Sequence, residues 1–289
     1  MPASAEPSVR PRRSALYLPA SNARAIEKAR ELPCDVVILD LEDAVAPDAK
    51  DAAREQAVQA VRAGGFGRRE VVIRVNGLDT PWGGEDLDAA GAAGADAVLA
   101  PKVSSPQDVA GYTRPLAGRT RLWCMIETCA ALFRLDALGA ACAEAGVACW
   151  VMGTNDLAKE MRCQPGPDRA PLAAALSLSV AAARLHGLAI LDGVFNDIAD
   201  EAGFGAQCAQ ALAFGFDGKT LIHPSQVAAA NQVFAPSEAQ VRWSRLVVDA
   251  FDQPQNAARG ALKVEGRMVE RLHLAEARRV LALAEALGG

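Results

Sequence analysis

From Ser14 onward, short apolar runs alternate with longer amphipathic stretches. The apolar runs are Ser14–Leu18, Asp35–Leu41, Glu70–Val75, Asp96–Ala100, Leu122–Ile126, Val147–Met152, Leu188–Val194 and Lys219–Ile222. In the fifth, Leu122, Trp123, Cys124, Met125 and Ile126 are apolar on both alternating faces, the habit of a strand buried on both sides of a parallel sheet. Helical patterns follow near Asn22–Glu31, over Lys50–Ala63, near Gly84–Ala93, from Ser105 onward, through Ala145, over about Pro171–His186, over Ala202–Phe214 and over Ser225–Phe234. Ser105-Pro106-Gln107-Asp108 is a capping box with proline in the first helical position. Eight β-then-α units predict an α/β chain closed into a (β/α)8 TIM barrel over residues 14–235. The missing GxGxxG after the first run argues against an open dinucleotide-binding sheet. Residues 1–13 are expected to be a disordered arm. Residues 236–289 are expected to form a helical extension, as a lid or oligomer contact, with helices over Ser237–Asp252 and about Leu272–Leu287.

Strand ends in a barrel converge on one mouth. Here they carry Asp40 with Glu42 and Asp43, Arg74 with Asn76, Lys102, Glu127, Asp156, Asp192, and Lys219 with His223, while the strand interiors carry almost no charge. Glu127 closes the fifth run and Asp156 follows the sixth. A carboxylate at the end of a doubly buried strand costs several kcal/mol unless it is paired or bound to a metal. Two such carboxylates on adjacent strands suit a hard cation with open positions for water and substrate. The alternative is that each only caps the following helix. Arg74, inside a β-branched run, must fork onto an anion, either a ligand or a protein carboxylate such as Glu42 or Asp43.

Composition narrows the classes. Of 289 residues, 51% are hydrophobic and 22% charged, as in an ordinary globular protein, and the formal net charge of -5 argues against nucleic-acid binding. No apolar run reaches the roughly 18 residues of a membrane span, and residues 1–13 have no apolar core of a signal peptide. The odd count of seven cysteines without a CxxC pair suggests a reducing, cytoplasmic setting. The stretch Ala213–Thr220 mimics a P-loop, but its first glycine is missing and a strand follows it.

Seven segments together resemble the citrate lyase β-subunit-like group of the HpcH/HpaI aldolase superfamily. They are Leu16–Ala29, Asp40–Arg54, Ile73–Asn76, Pro101-Lys102, Met125–Thr128, Gly153–Leu157 and Phe216–Gln226. The resemblance implies a Mg2+-dependent lyase, with Mn2+ as a substitute, that cleaves or forms β-hydroxyacyl-CoA thioesters such as citryl-, citramalyl- or malyl-CoA. It implies Glu127 and Asp156 as metal ligands, Arg74 on the oxo-acid oxygen, and Glu42 and Asp43 beside the metal waters. The backbone N–H groups of Gly153, Thr154, Asn155 and Asp156 would hold the substrate carboxylate. Arg24, Lys28 and Lys102 would form a basic edge for the CoA phosphates. Glu270, in Gly266–Glu270, stands where relatives often carry a catalytic aspartate that reaches a neighbouring subunit. A homotrimer or hexamer is therefore expected. A CoA-independent class II pyruvate-type aldolase and a non-catalytic citrate-lyase-like subunit remain as alternatives.

Overall fold

The computed structural model describes residues 10–256 and 258–288. The chain divides into two compact units, Arg12–Phe234 and a second unit containing Ala235–Gly289. The first is a closed barrel of eight parallel strands in sequence order, with β8 pairing back onto β1. The strands are β1 (Ser14–Pro19), β2 (Val36–Asp40), β3 (Glu70–Arg74) and β4 (Ala97–Ala100), then β5 (Arg121–Ile126), β6 (Cys149–Met152), β7 (Ala189–Asp192) and β8 (Gly218–Leu221).

The helices around them are α1 (Ala23–Ala29), α2 (Lys50–Ala63), α3 (Gly83–Ala93), α4 (Pro106–Leu116) and α5 (Cys129–Leu132). They continue with α6 (Leu135–Glu144), α7 (Thr154–Met161), α8 (Ala173–Leu185), α9 (Glu201–Phe214) and α10 (Gln226–Phe234). The strands read as continuous apolar runs because both faces are covered. Ile38, Val72, Leu99, Trp123, Met125 and Val151 fill the barrel, while the alternating Val37, Leu39, Ile73, Val98, Cys124 and Trp150 meet the helices. The helices pack by the same logic: α2 turns Ala53, Ala57 and Ala60 inward at i, i+4 and i+7 and ends at Gly64, whose φ is positive. Ser105 caps α4, its hydroxyl accepting from the Asp108 N–H.

Two expectations change here. The helix expected after β5 is broken into α5 and α6, and α7 appears after β6 where no apolar period announced it, since only Thr154 and Leu157 of its eight residues are buried. The expected N-terminal arm also ends before Arg13. Residues 1–9 lie outside the described residues, but Arg12 is buried and forks onto Glu70 at 2.7 and 2.9 Å, with its guanidinium 4.8 Å from the Trp123 ring. Arg13 forks onto Asp35. Arg12 thus plugs the N-terminal end of the barrel, where Glu70 opens β3 facing inward.

The second unit holds α11 (Glu238–Asp252), β9 (Ala261–Val264), β10 (Arg267–Glu270) and α12 (Arg271–Gly288). Ser237 and Gln240 form a capping box at the start of α11. The unit is not purely helical, because β9 and β10 pair antiparallel through Glu265 and Gly266. Both turn residues have positive φ, as a two-residue hairpin of type I′ requires. Leu262, Val264 and Val269 of this hairpin share a core with Val247, Phe251, Leu274 and Ala277.

Arg12 supplies a test of the barrel floor. Replacing it with methionine keeps the chain length but removes the counter-charge of a buried carboxylate, which costs about 3–5 kcal/mol. Urea unfolding of Arg12→Met is expected to register that loss, and adding Glu70→Gln is expected to recover most of it. A loss below about 1 kcal/mol would show that the ion pair does not hold the floor.

Candidate active site

The mouth is built from the ends of β2, β3, β4, β5 and β6. The β2–β3 register sets Asp40 directly beside Arg74. The Arg74 fork lands on Asp40, Nε on Oδ1 and Nη2 on Oδ2, both at 2.7 Å. Asp40 is held from its other side by the Glu42 and Ala44 N–H groups. Nη1 of Arg74 lies 2.8 Å from Glu42 Oε2 and 3.9 Å from Asp43 Oδ2. Burial works against the Arg74 charge, but Asp40 above all, with Glu42, more than offsets it and keeps the guanidinium ionised. The expected anion for Arg74 is thus in the first place Asp40, a partner that the residue pattern did not single out.

Lys102, expected on the edge for the CoA phosphates, is half exposed and donates one Nζ hydrogen bond to Glu42 Oε1 at 2.9 Å. Its backbone sits at φ 52, unusual for a residue with a side chain, and this conformation delivers its N–H to Glu127 Oε1 at 2.7 Å. Glu42 is therefore held by two cations, while Asp43 stays largely exposed. Below them Lys50, absent from the expected set, is buried. Its Nζ holds the carbonyls of Leu41 and Glu42 at 2.8 and 2.7 Å, which fixes the loop after β2. Asn76 acts as a brace, bridging Leu41 O to the buried Asp86 at the start of α3.

Glu127 is buried with too few partners for its charge. It is 1% exposed, and its Oε2 has no hydrogen-bond partner. Burial pushes its carboxyl up to about 8, with the charges of Glu42 and then Asp156 adding to the shift against the Lys102 N–H and the Arg74 charge. Gly153 makes the position possible, since a β-carbon there would strike Glu127 Oε2. Asp156, in the first turn of α7, is half-buried with no hydrogen bond to its carboxylate. A hard divalent cation would answer both needs, partnering the orphaned oxygen of Glu127 and taking Asp156 as a second ligand. Among the described residues no three His, Cys, Asp or Glu side chains gather into a metal cage. The pair would leave most coordination positions to water and substrate.

The start of α7 contributes donors. No side chain caps this helix. The Gly153 N–H, expected to face the substrate, is instead spent on the Ile126 carbonyl at 3.1 Å, locking β5 to β6. The N–H groups of Thr154, Asn155 and Asp156 lie in the first turn, at the positive end of the helix, where an anion is favoured. The Asn155 side chain is taken by a reciprocal amide pair with Asn196. Arg24 and Lys28 lie exposed on α1. Glu270, half-buried, closes β10 in the second unit, its N–H donating to His273 Nδ1 at 2.9 Å.

A family model described as HpcH/HpaI aldolase/citrate lyase matches residues 13–224. The chain belongs to this family. It is 45% identical over 277 residues to a (3S)-malyl-CoA thioesterase of Cereibacter sphaeroides, covering 96% of both chains. It is 33% identical over 290 residues to the citrate lyase subunit beta of Escherichia coli, covering 96% of this chain and 95% of that one. Among solved structures it resembles CitE of Mycobacterium tuberculosis in complex with magnesium, acetoacetate and coenzyme A. That match has a TM-score of 0.73 at 29% identity over 96% of this chain and 98% of that one.

In this member of the HpcH/HpaI family the matched region spans the whole mouth, from β1 to the loop after β8. Asp192 and Lys219, read as mouth residues from their strand ends, belong elsewhere. Lys219 is fully buried and its Nζ bonds Asp192, Gly193 O and Gln207, with Arg169 on the other side of Asp192. They form a polar knot between the barrel wall and α9. No helix among the described residues is long and apolar enough to cross a membrane.

The shift of Glu127 sets a pH dependence. Its pKa rises from the ordinary carboxylate range to about 8 on folding, so the folded chain binds the extra proton. The stability this confers is full below the ordinary value and is lost as pH rises through about 8. Metal-free protein is expected to melt at progressively lower temperature from about pH 5 to pH 9, and Glu127→Gln to flatten most of that decline. An unchanged slope in the variant would contradict the burial assigned to Glu127.

Proposed function

We propose that this protein is a Mg2+-dependent carbon–carbon lyase that cleaves, or forms, a β-hydroxyacyl-CoA thioester such as citryl-, citramalyl- or malyl-CoA, giving an acyl-CoA and a 2-oxo acid. The observation that carries the reading is the orphaned, buried Glu127 oxygen, with Asp156 near enough for its charge to act on the same carboxylate. The magnesium and coenzyme A held by the CitE relative and the malyl-CoA substrate named for the 45% identical relative support it. Glu127 and Asp156 would hold the cation, which when bound supplies Lewis acidity to the oxo-acid oxygen. The free N–H groups at the start of α7 orient the substrate carboxylate. Arg74, anchored by Asp40, keeps a positive pole beside the same oxygen, and Glu42 and Asp43 order water near the cation. Arg24 and Lys28 offer the basic edge for the CoA phosphates.

Cleavage removes the proton of the β-hydroxyl, forms the keto C=O and breaks the C–C bond. The electron pair stays on the acyl-CoA α-carbon, which takes up a proton. Glu270 is assigned to that protonation, carried to the mouth of a neighbouring copy in a homotrimer or hexamer. The apolar flank of α12 supports such an assembly, because Val280, Leu281, Leu283 and Leu287 remain half-exposed within their unit. The free state of all seven cysteines fits a cytoplasmic setting. One observation favours a second outcome on the same substrate: the 45% identical relative is a thioesterase. Water attacking the thioester carbonyl would release malate and CoA rather than an oxo acid.

The test is a panel of CoA thioesters with Mg2+, scored for free oxo acid and free thiol. The lyase reading expects oxo acid without free thiol; thiol released in step with turnover and no oxo acid would assign the thioesterase. Glu270→Ala and Asp156→Ala are each expected to be inactive, and their mixture under subunit exchange to regain part of the activity. Full activity from a monomer would contradict the shared site.

A further inference from the structure

Nε and Nη2 of Arg74 are committed to Asp40, which leaves only Nη1 of its fork toward the reacting oxygen and room for a second donor beside it. Tyr17 stands in the right place. It lies on β1, its ring packed among the residues that fill the barrel, and crosses to Met125 on β5, the opposite strand of the closed sheet. The Arg74 guanidinium stacks on its ring at 4.9 Å. Among the described residues the only hydrogen-bond partner of the Tyr17 hydroxyl is the Met125 sulfur, 4.0 Å away. Nη1 of Arg74 reaches the same sulfur at 3.7 Å. A thioether is a weak acceptor, so two strong donors converge on a poor one, two residues before Glu127 on the same strand. That arrangement leaves a place for an oxygen with charge to offer. Burial, with Arg74 opposing and Asp40, Glu127 and Glu42 adding, holds the phenol above its ordinary range, so it remains a donor at neutral pH.

Building on the lyase reading, we infer that the Tyr17 hydroxyl forms the floor of the reaction centre and donates a hydrogen bond to the substrate oxygen that is hydroxyl in the thioester and keto in the oxo acid. Tyr17 exchanges no proton. It leaves the Met125 sulfur for that oxygen and stabilises the negative charge that the oxygen carries in the transition state. Nothing in the packing demands a hydroxyl here, since phenylalanine would keep the ring, the stacking and the volume.

Tyr17→Phe removes only the O–H. Oxalate, with an anionic oxygen in the place of the keto group, is the binding probe, titrated by calorimetry with Mg2+ present. Oxalate affinity is expected to fall about 10-fold, and kcat on the thioester about 100-fold, with KM, melting temperature and Mg2+ affinity unchanged. Equal oxalate affinity in wild type and variant, or no oxalate binding by either, would overturn the inference. So would a joint loss of stability and Mg2+ affinity, the mark of a structural role. If wild type turned over no CoA thioester while Tyr17→Phe still weakened oxalate, the lyase reading alone would fail and the Tyr17 contact would stand.

Discussion

The mouth of this barrel is arranged around one electrostatic constraint, a carboxylate buried without a protein cation to pair it. Glu127 ends a strand closed on both faces, receives one backbone N–H, and keeps one oxygen without a partner. Its neighbours are chosen to leave it so. Gly153 yields the space against which it lies, Lys102 turns its N–H toward it from a left-handed backbone, and the cations that could pair with it are spent on Glu42 and Asp40. A protein that put Arg74 or Lys102 on Glu127 would leave no orphaned oxygen at this strand end. The same economy applies at α7, where the absence of a capping side chain leaves N–H groups open to an anion.

The supporting network explains why so many charges can crowd one mouth. Asp40 accepts four hydrogen bonds, two from Arg74 and two from backbone N–H groups, and so acts as the fixed counter-ion of the arginine rather than as a ligand. Lys50 pins the loop that carries Glu42 through two carbonyls. At the far end of the barrel, Arg12 and Glu70 close the floor with a second buried pair. Charges at the two ends are separated by the apolar layer of Val72, Leu99, Trp123 and Val151, which lowers the local dielectric and sharpens each interaction.

Much of the fold was legible because burial on both faces writes a strand as an unbroken apolar run, and eight such runs with helical spacers admit few closures. Glu127 and Asp156 were legible for the same reason: a charge that ends such a run stands out. Features set by tertiary register were not. The pairing of Asp40 with Arg74 depends on how β2 lies against β3, and Lys219 and Asp192 look like mouth residues until the strand faces are known. Helix α7 is too polar to announce itself, and the β9–β10 hairpin is too short for its alternation to rise above the surrounding tail. Tyr17 is one aromatic in an apolar run, with no local sign that its hydroxyl lacks a strong acceptor.

The central claim is that Glu127 holds a proton which a divalent cation replaces. Calorimetric titration of Mg2+ at pH 7 in buffers of different ionisation enthalpy measures that exchange directly. The account predicts release of about one proton per cation from wild type, fading above about pH 9 and absent in Glu127→Gln. Mg2+ binding to wild type at pH 7 with no proton released would contradict it.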